Sequence, residues 1–327
     1  MEQQTYTIDE IYDFCMRHRK YFDAIMKLEL IYGNRKRFPY IEFGKDDGCY
    51  TNHDKIHIGT GYFIHDENYD ILAADIVYII YHEVQHIKST PKKPWIWGLT
   101  EGRRIVCMTI SEEVEGKGKR RFLKESDYDN FFNTMENTYG IHISLKAIDT
   151  FVHFIINSNE DGREERIGAK NDDFRQKIIL FRGREWNRNP VEKINIKDID
   201  ARLKLQIKLN QVLCLATTSL YQKKFTDIYG NTFLEDEMQS LMPYIKASVQ
   251  SSTCRQGVAA SVEIVKLLAK DIIEACKLTS LEQLLKQLIT QFSQQSVYSS
   301  SEKNEQKGNG SSGNSKTQNS GSKPKDG

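Results

Sequence analysis

Tyr78-Ile79-Ile80-Tyr81-His82-Glu83-Val84-Gln85-His86-Ile87 is the stretch whose reading decides the fold. It lies inside residues 70 to 88, where Ile71, Leu72, Ala74, Ile76, Val77, Ile79 and Ile80 supply apolar faces, so one buried helix is expected there. His82 and His86 then sit one turn apart on one face. Two imidazoles at that spacing converge on a single metal ion, and Glu83 stands beside them, close enough to hold a water on it. His-Glu-x-x-His on a helix is a pattern of zinc hydrolases, with the glutamate as general base. The competing reading is a buried helix whose two histidines are merely hydrogen-bonded.

Upstream of this helix the chain changes character twice. Thr7-Ile8-Asp9-Glu10 has the form of a capping box, and Ile8, Ile11, Tyr12, Cys15 and Met16 follow at helical spacing. The helix they open is expected to run, with or without a break, to about Tyr32, where Gly33-Asn34 stops it. Residues 38–44 and 55–60 then read as short strands, with turn signals at Asp46-Asp47-Gly48 and Thr51-Asn52-His53-Asp54. A small sheet ahead of such a helix offers an edge strand to which an extended peptide can add, and Gly59-Thr60-Gly61 would permit close backbone approach. A plain hairpin covering the helix is the alternative.

Downstream, position 89 is Ser and position 92 is Lys, so the metzincin continuation H-x-x-G-x-x-H is absent and a third metal ligand must lie further on. Pro91 and Pro94 are expected to end the helix. Trp95-Ile96-Trp97-Gly98 could line a cleft or pack in the core, and residues 111–125 read as an exposed connection. Helices are expected over 127–138 and 144–170. The second of these begins apolar, with Phe151, Val152, Phe154, Ile155 and Ile156, and turns polar over Asn157-Ser158-Asn159-Glu160-Asp161-Gly162-Arg163-Glu164-Glu165-Arg166. Asn157, Glu160, Asp161 and Glu164 share a face, with His153 one turn back. That face could present Glu160 as a third ligand with its neighbours fixing the carboxylate, or it could be a solvated helix end.

The pairing of H-E-x-x-H with N-x-x-E-D-x-R-x-E resembles the zincin-like metallopeptidase module found ahead of von Willebrand A domains. Relatives of that module occur in cobaltochelatase-subunit-like and nitric-oxide-reductase-activation-like bacterial proteins and in bacterial mobile elements. The matching residues are His82, Glu83 and His86, then Asn157, Glu160, Asp161, Arg163 and Glu165, and the likeness spans roughly residues 40 to 170. It implies a gluzincin-like site in which His82, His86 and Glu160 hold Zn²⁺, Glu83 is the catalytic base, and Asp161 and Arg163 buttress the third ligand. Asn157 joins them as a supporting residue, and His153, Arg163 and Tyr81 are the candidates for stabilising the oxyanion. Ser158-Asn159 and Glu164 depart from the pattern, and no D-x-S-x-S signature of a von Willebrand A domain occurs in this sequence.

Composition narrows the partners. In 327 residues, 46 Lys and Arg nearly balance 45 Asp and Glu, so no global field points to nucleic acid or to an anionic membrane. The basic run Lys117, Lys119, Arg120, Arg121 reads as a solvated loop. No apolar run is long enough to span a bilayer. Six cysteines without a C-x-x-C pair suit small core residues of a reduced, cytoplasmic protein, and the first residues lack a signal core.

The expected architecture is α+β, mostly α, with a zincin-like helix under a small N-terminal sheet. Residues 1–190 form the metallopeptidase domain, with 171–200 a connector at its end. Residues 191–292 form a helical bundle or cap with helices near 200–221, 234–248, 256–276 and 280–292, and residues 293–327 form a disordered, low-complexity tail. The expected activity is zinc-dependent peptide hydrolysis on a peptide or protein substrate. The alternative is a non-catalytic module whose helical half binds a partner such as an ATPase or a von Willebrand A domain protein.

Overall fold

In the computed structural model, α3 (Tyr69–Ser89) is the helix that carries the histidines. Described are residues 6–31, 38–66, 68–116, 123–141, 143, 145–188, 201–217 and 238–277. Asn68 caps α3, its Oδ1 accepting from the backbone N–H groups of Asp70 (3.0 Å) and Ile71 (2.9 Å). The helix ends at Thr90, just before Pro91, and Leu72, Ile76, Ile80 and Val84 are fully buried along it.

Ahead of it, α1 (Ile8–Arg17) opens with the expected capping box: Glu10 N donates to Thr7 Oγ1 at 3.2 Å and Thr7 N donates to Glu10 Oε2 at 2.8 Å. His18 breaks the run, and α2 (Arg19–Ile31) follows. The strands are β1 (Tyr40–Gly44), β2 (Cys49–Thr51) and β3 (Lys55–Gly59), in the order β1-β3-β2. β1 lies parallel to β3, and β2 is the short antiparallel edge, pairing Cys49 with Ile58 and Thr51 with Ile56. The sequence gives no sign of β2, whose three residues sit between two turn signals. Gly59 is needed for a close approach within the sheet: its N–H donates to Gly48 O at 2.7 Å, and a Cβ there would collide with the backbone of Asp46 and Gly48. The glycine therefore seats the 46–48 turn.

After α3 come α4 (Lys92–Glu115), α5 (Tyr128–Tyr139), α6 (Leu145–Gly168), α7 (Asp172–Arg188), α8 (Ala201–Thr217), α9 (Met242–Gln250) and α10 (Cys254–Lys277). Ten helices and a three-stranded mixed sheet make the described residues an α+β fold, mostly α.

Two expectations are corrected. Residues 111–115 are not an exposed connection; they continue α4, because Ile110 and Ser111 are buried. Residues 172–188 are not a connector either. They form α7, whose apolar Phe174, Ile178 and Phe181 recur at helical spacing and bury against the α3 side of the molecule, outweighing the cost of Gly183 within the helix. The 117–122 basic run, the expected 280–292 helix and the 293–327 tail lie outside the described residues.

The buried apolar side chains form two clusters. One gathers α1, α2, the sheet, α3 and α7, with Phe22, Ile56, Ile76 and Phe181 among its members. The other gathers α4, α5, α6, α8, α9 and α10, with Trp95, Ile155, Leu209 and Val265. α3 and α6 meet where the two clusters adjoin, and the residues they turn toward each other are polar and buried. All six cysteines are buried and none forms a disulfide. Among the described residues no helix is long and apolar enough to cross a membrane.

Candidate metal centre

The facing stripes of α3 and α6 are both built on steps of four residues. α3 contributes Tyr78, His82, His86 and, as its C-cap, Thr90; α6 contributes Asn157, Asp161 and Glu165. The stripes pair in opposite directions: Tyr78 with Glu165, the histidines with Asp161, and Thr90 with Glu160 and Glu164. Gly162 lets α6 approach its other neighbour, since a Cβ there would strike the Ala216 carbonyl of α8.

Three atoms converge at the centre. His86 Nε2 lies 3.1 Å from His82 Nε2 and 3.2 Å from Asp161 Oδ1, and His82 Nε2 lies 3.5 Å from the same oxygen. Ligands about 2.0–2.1 Å from a tetrahedral zinc stand about 3.3 Å apart, so this triangle has the size of one face of such a site. The donor set of two imidazoles and a carboxylate suits the same ion. Among the described residues this is the one group of His, Cys, Asp or Glu with that geometry.

The surroundings orient each member. Asn157 Nδ2 donates to Asp161 Oδ2 at 3.1 Å, so Oδ1 is the oxygen turned to the histidines. His86 Nδ1 lies 3.3 Å from Thr90 Oγ1, and Thr90 donates to Glu160 Oε1 at 2.6 Å. A proton on Nδ1 directed at Thr90 leaves the Nε2 lone pair facing the centre. His82 Nδ1 lies 3.7 Å from Glu165 Oε1, which also accepts from Tyr78 Oη at 2.6 Å and from Arg182 Nε at 3.0 Å.

The third corner is therefore Asp161, where the resemblance implied Glu160. Glu160 is turned away by one helical step. Its Oε1 accepts from Thr90 and from Arg163 Nη2, each at 2.6 Å, and its Oε2 accepts from Arg163 Nε at 2.9 Å. Arg163 holds Glu164 as well and donates to Ser89 O at 2.8 Å. Tyr81 points its hydroxyl to Asp173 at 3.1 Å, toward α7. His153 packs edge-on against the buried Trp95 with ring centroids 5.6 Å apart, while neighbouring Trp97 is 46% exposed.

Glu83 is fully buried, and among the described residues neither carboxylate oxygen has a hydrogen-bond partner. Burial pushes its pKa up to about 8; the Asp161 charge adds to this and His86 opposes it. Burial also lowers His82. For His86 burial works downward, but the Asp161 hydrogen bond and charge overcome it and raise the imidazole to about 9. Asp161 is held at about 2 despite its burial, because both histidines hydrogen-bond to it. Glu164 is pushed up to about 7 by burial and the Glu160 charge. Five buried carboxylates, Glu83, Glu160, Asp161, Glu164 and Glu165, stand against two buried guanidiniums, Arg163 and Arg182. Protons on Glu83, Glu164 and His86, all three raised, offset much of that negative charge near neutrality, and a bound dication would take their place.

Thr90, Tyr78 and Arg182 take part without having been singled out in the sequence. Continuing the four-residue step on either side of His82 and His86 reaches Tyr78 and Thr90. Nothing near Arg182 signals its role, since it lies on the unanticipated α7. Comparisons with protein-family models, with curated proteins and with solved structures find no match to this chain.

Proposed function

We propose that this chain is a zinc-dependent, zincin-like hydrolase of peptide bonds, with His82, His86 and Asp161 as the metal-holding side chains and Glu83 as the base. The observation that carries the reading is the triangle of His82 Nε2, His86 Nε2 and Asp161 Oδ1, with sides of 3.1, 3.2 and 3.5 Å, beside a buried carboxylate with no hydrogen-bond partner. Zinc, when bound there, supplies Lewis acidity toward water and toward a substrate carbonyl. Glu83 takes the proton from the attacking water on a carboxylate oxygen and returns it to the leaving amine nitrogen. The Thr90–Glu160–Arg163 chain and the Asn157 amide hold the imidazole and carboxylate in place, so that little reorganisation accompanies the reaction. The edge strand β2 packs beside α3, and its outer edge is where an extended peptide would add.

The test is Glu83→Gln with zinc content and cleavage of a peptide library measured together. The substitution should leave one zinc per chain and lower cleavage by about 10²–10⁴-fold. Cleavage at the wild-type rate by the variant removes Glu83 from its role and the reading with it.

One observation favours the second reading, a zinc-bearing interaction module without catalysis: His82, Glu83 and His86 are fully buried, so this conformation leaves substrate no path to them. One bound zinc with no cleavage across the library, by the full chain at any tested pH, would select that reading. Retention of an unpartnered Glu83 weighs the other way, because a structural site needs ligands but no base.

A further inference from the structure

A cavity of about 610 Å³ opens where the C-terminal ends of α3 and α6 meet the start of α10. Its size falls in the range of small-molecule sites, about 300–1,000 Å³. Among the described residues five cationic side chains line it, Lys88, Arg163, Arg166, Lys170 and Arg255, and no carboxylate does. Two of the five are already neutralised: Arg163 by Glu160 and Glu164, and Lys88 by Glu29 at 3.4 Å. The other three are not. Among the described residues Arg166 donates only to neutral carbonyls, Val249 O at 2.6 Å and Ser251 O at 2.8 Å. Lys170 and Arg255 are exposed at the rim and, among the described residues, make no ion pair.

We infer that this cavity is a binding site for a small molecule bearing a multivalent oxyanion, separate from the metal centre. A single carboxylate would leave two of the three uncompensated cations unmatched and a phosphate monoester one, whereas a diphosphate or a tricarboxylate meets all of them. Pro91 and Ile167 supply apolar wall for the rest of such a molecule. The volume exceeds what an inorganic ion alone fills, and the backbone carbonyls already taken by Arg166 fix that guanidinium in place before the ligand arrives.

The experiment titrates metal-free full-length protein with pyrophosphate and, separately, with citrate, by calorimetry. The phosphate and carboxylate sources are distinguished by which probe binds. Saturable one-to-one binding of either is expected, weakened at least tenfold in K170A/R255A and weakened by added NaCl. Both substituted side chains are exposed, so the fold should be kept, and an unchanged circular dichroism spectrum checks this. The charge-matched control K266A/K270A alters two exposed lysines further along α10 and should bind as wild type does. No saturable binding of either probe, undiminished binding by K170A/R255A, or an equal loss in K266A/K270A would overturn the assignment.

Discussion

Asn157 Nδ2 donates to Asp161 Oδ2 at 3.1 Å, and this bond decides which oxygen of Asp161 faces His82 and His86. Replacing Asn157 by Leu frees the carboxylate to rotate and removes the donor that shares its charge. Zinc affinity should fall by about 10–100-fold, the usual cost of losing a group that orients a ligand. Competition with a chromogenic chelator measures it. Affinity unchanged in N157L would mean that packing alone fixes Asp161.

The roles of Asp161 and Glu160 separate by substitution. Asp161→Asn should abolish tight zinc binding, since an amide is a poor ligand beside two imidazoles. Glu160→Gln should weaken it by no more than about 10–100-fold, because Glu160 acts through Thr90 and Arg163. The opposite ranking, read from metal analysis of the two purified variants, would return the third corner to Glu160.

The protonation of the ligand side chains predicts a pH dependence. His86 is raised to about 9 by Asp161, so the metal-free site holds a proton at pH 7.5. Zinc needs the neutral imidazole and must displace that proton. Binding at pH 7.5 should therefore release at least one proton, and affinity should climb by up to about tenfold per pH unit until pH nears 9. Calorimetry in buffers of different ionisation enthalpy counts the protons. Zero protons released at pH 7.5 would contradict the assigned state of His86.

Arg182 and Glu165 form a buried ion pair beneath His82, with Tyr78 as a further donor. Arg182→Met leaves Glu165, and Glu185 at 2.6 Å on the other side of the guanidinium, without their cation and should cost about 3–5 kcal/mol, whereas E165Q/R182M should recover the part of that loss that comes from Glu165. Urea unfolding of the three proteins tests this. Equal destabilisation by the single and double variants would show that the loss comes from Glu185 or from packing around Phe181 and Tyr78 instead.

Much of this was readable in the sequence because periodicity reports helical faces. The spacing of His82 and His86, the apolar run before them and the Asn157–Asp161 stripe place two helices and one polar face on each. What periodicity cannot report is the rotation of one helix against another, and a rotation of one residue step exchanges Glu160 for Asp161 as the group nearest the histidines. Thr90 was hidden for another reason: it lies past the last turn of α3 and reaches the site only as a C-cap. α7 was missed because Gly183 and Asn187-Arg188-Asn189-Pro190 read as breakers, while burial of Phe174, Ile178 and Phe181 against α3 holds the helix. β2 is three residues long, too short to show alternation.

The most direct measurement is an anomalous difference map from zinc-loaded crystals, recorded at the zinc edge. A single peak is predicted within about 2.0–2.2 Å of His82 Nε2, His86 Nε2 and an oxygen of Asp161, with Glu160 still held by Thr90 and Arg163. A peak ligated by Glu160 in place of Asp161, or no peak at the histidines in crystals soaked to saturation, would contradict the account.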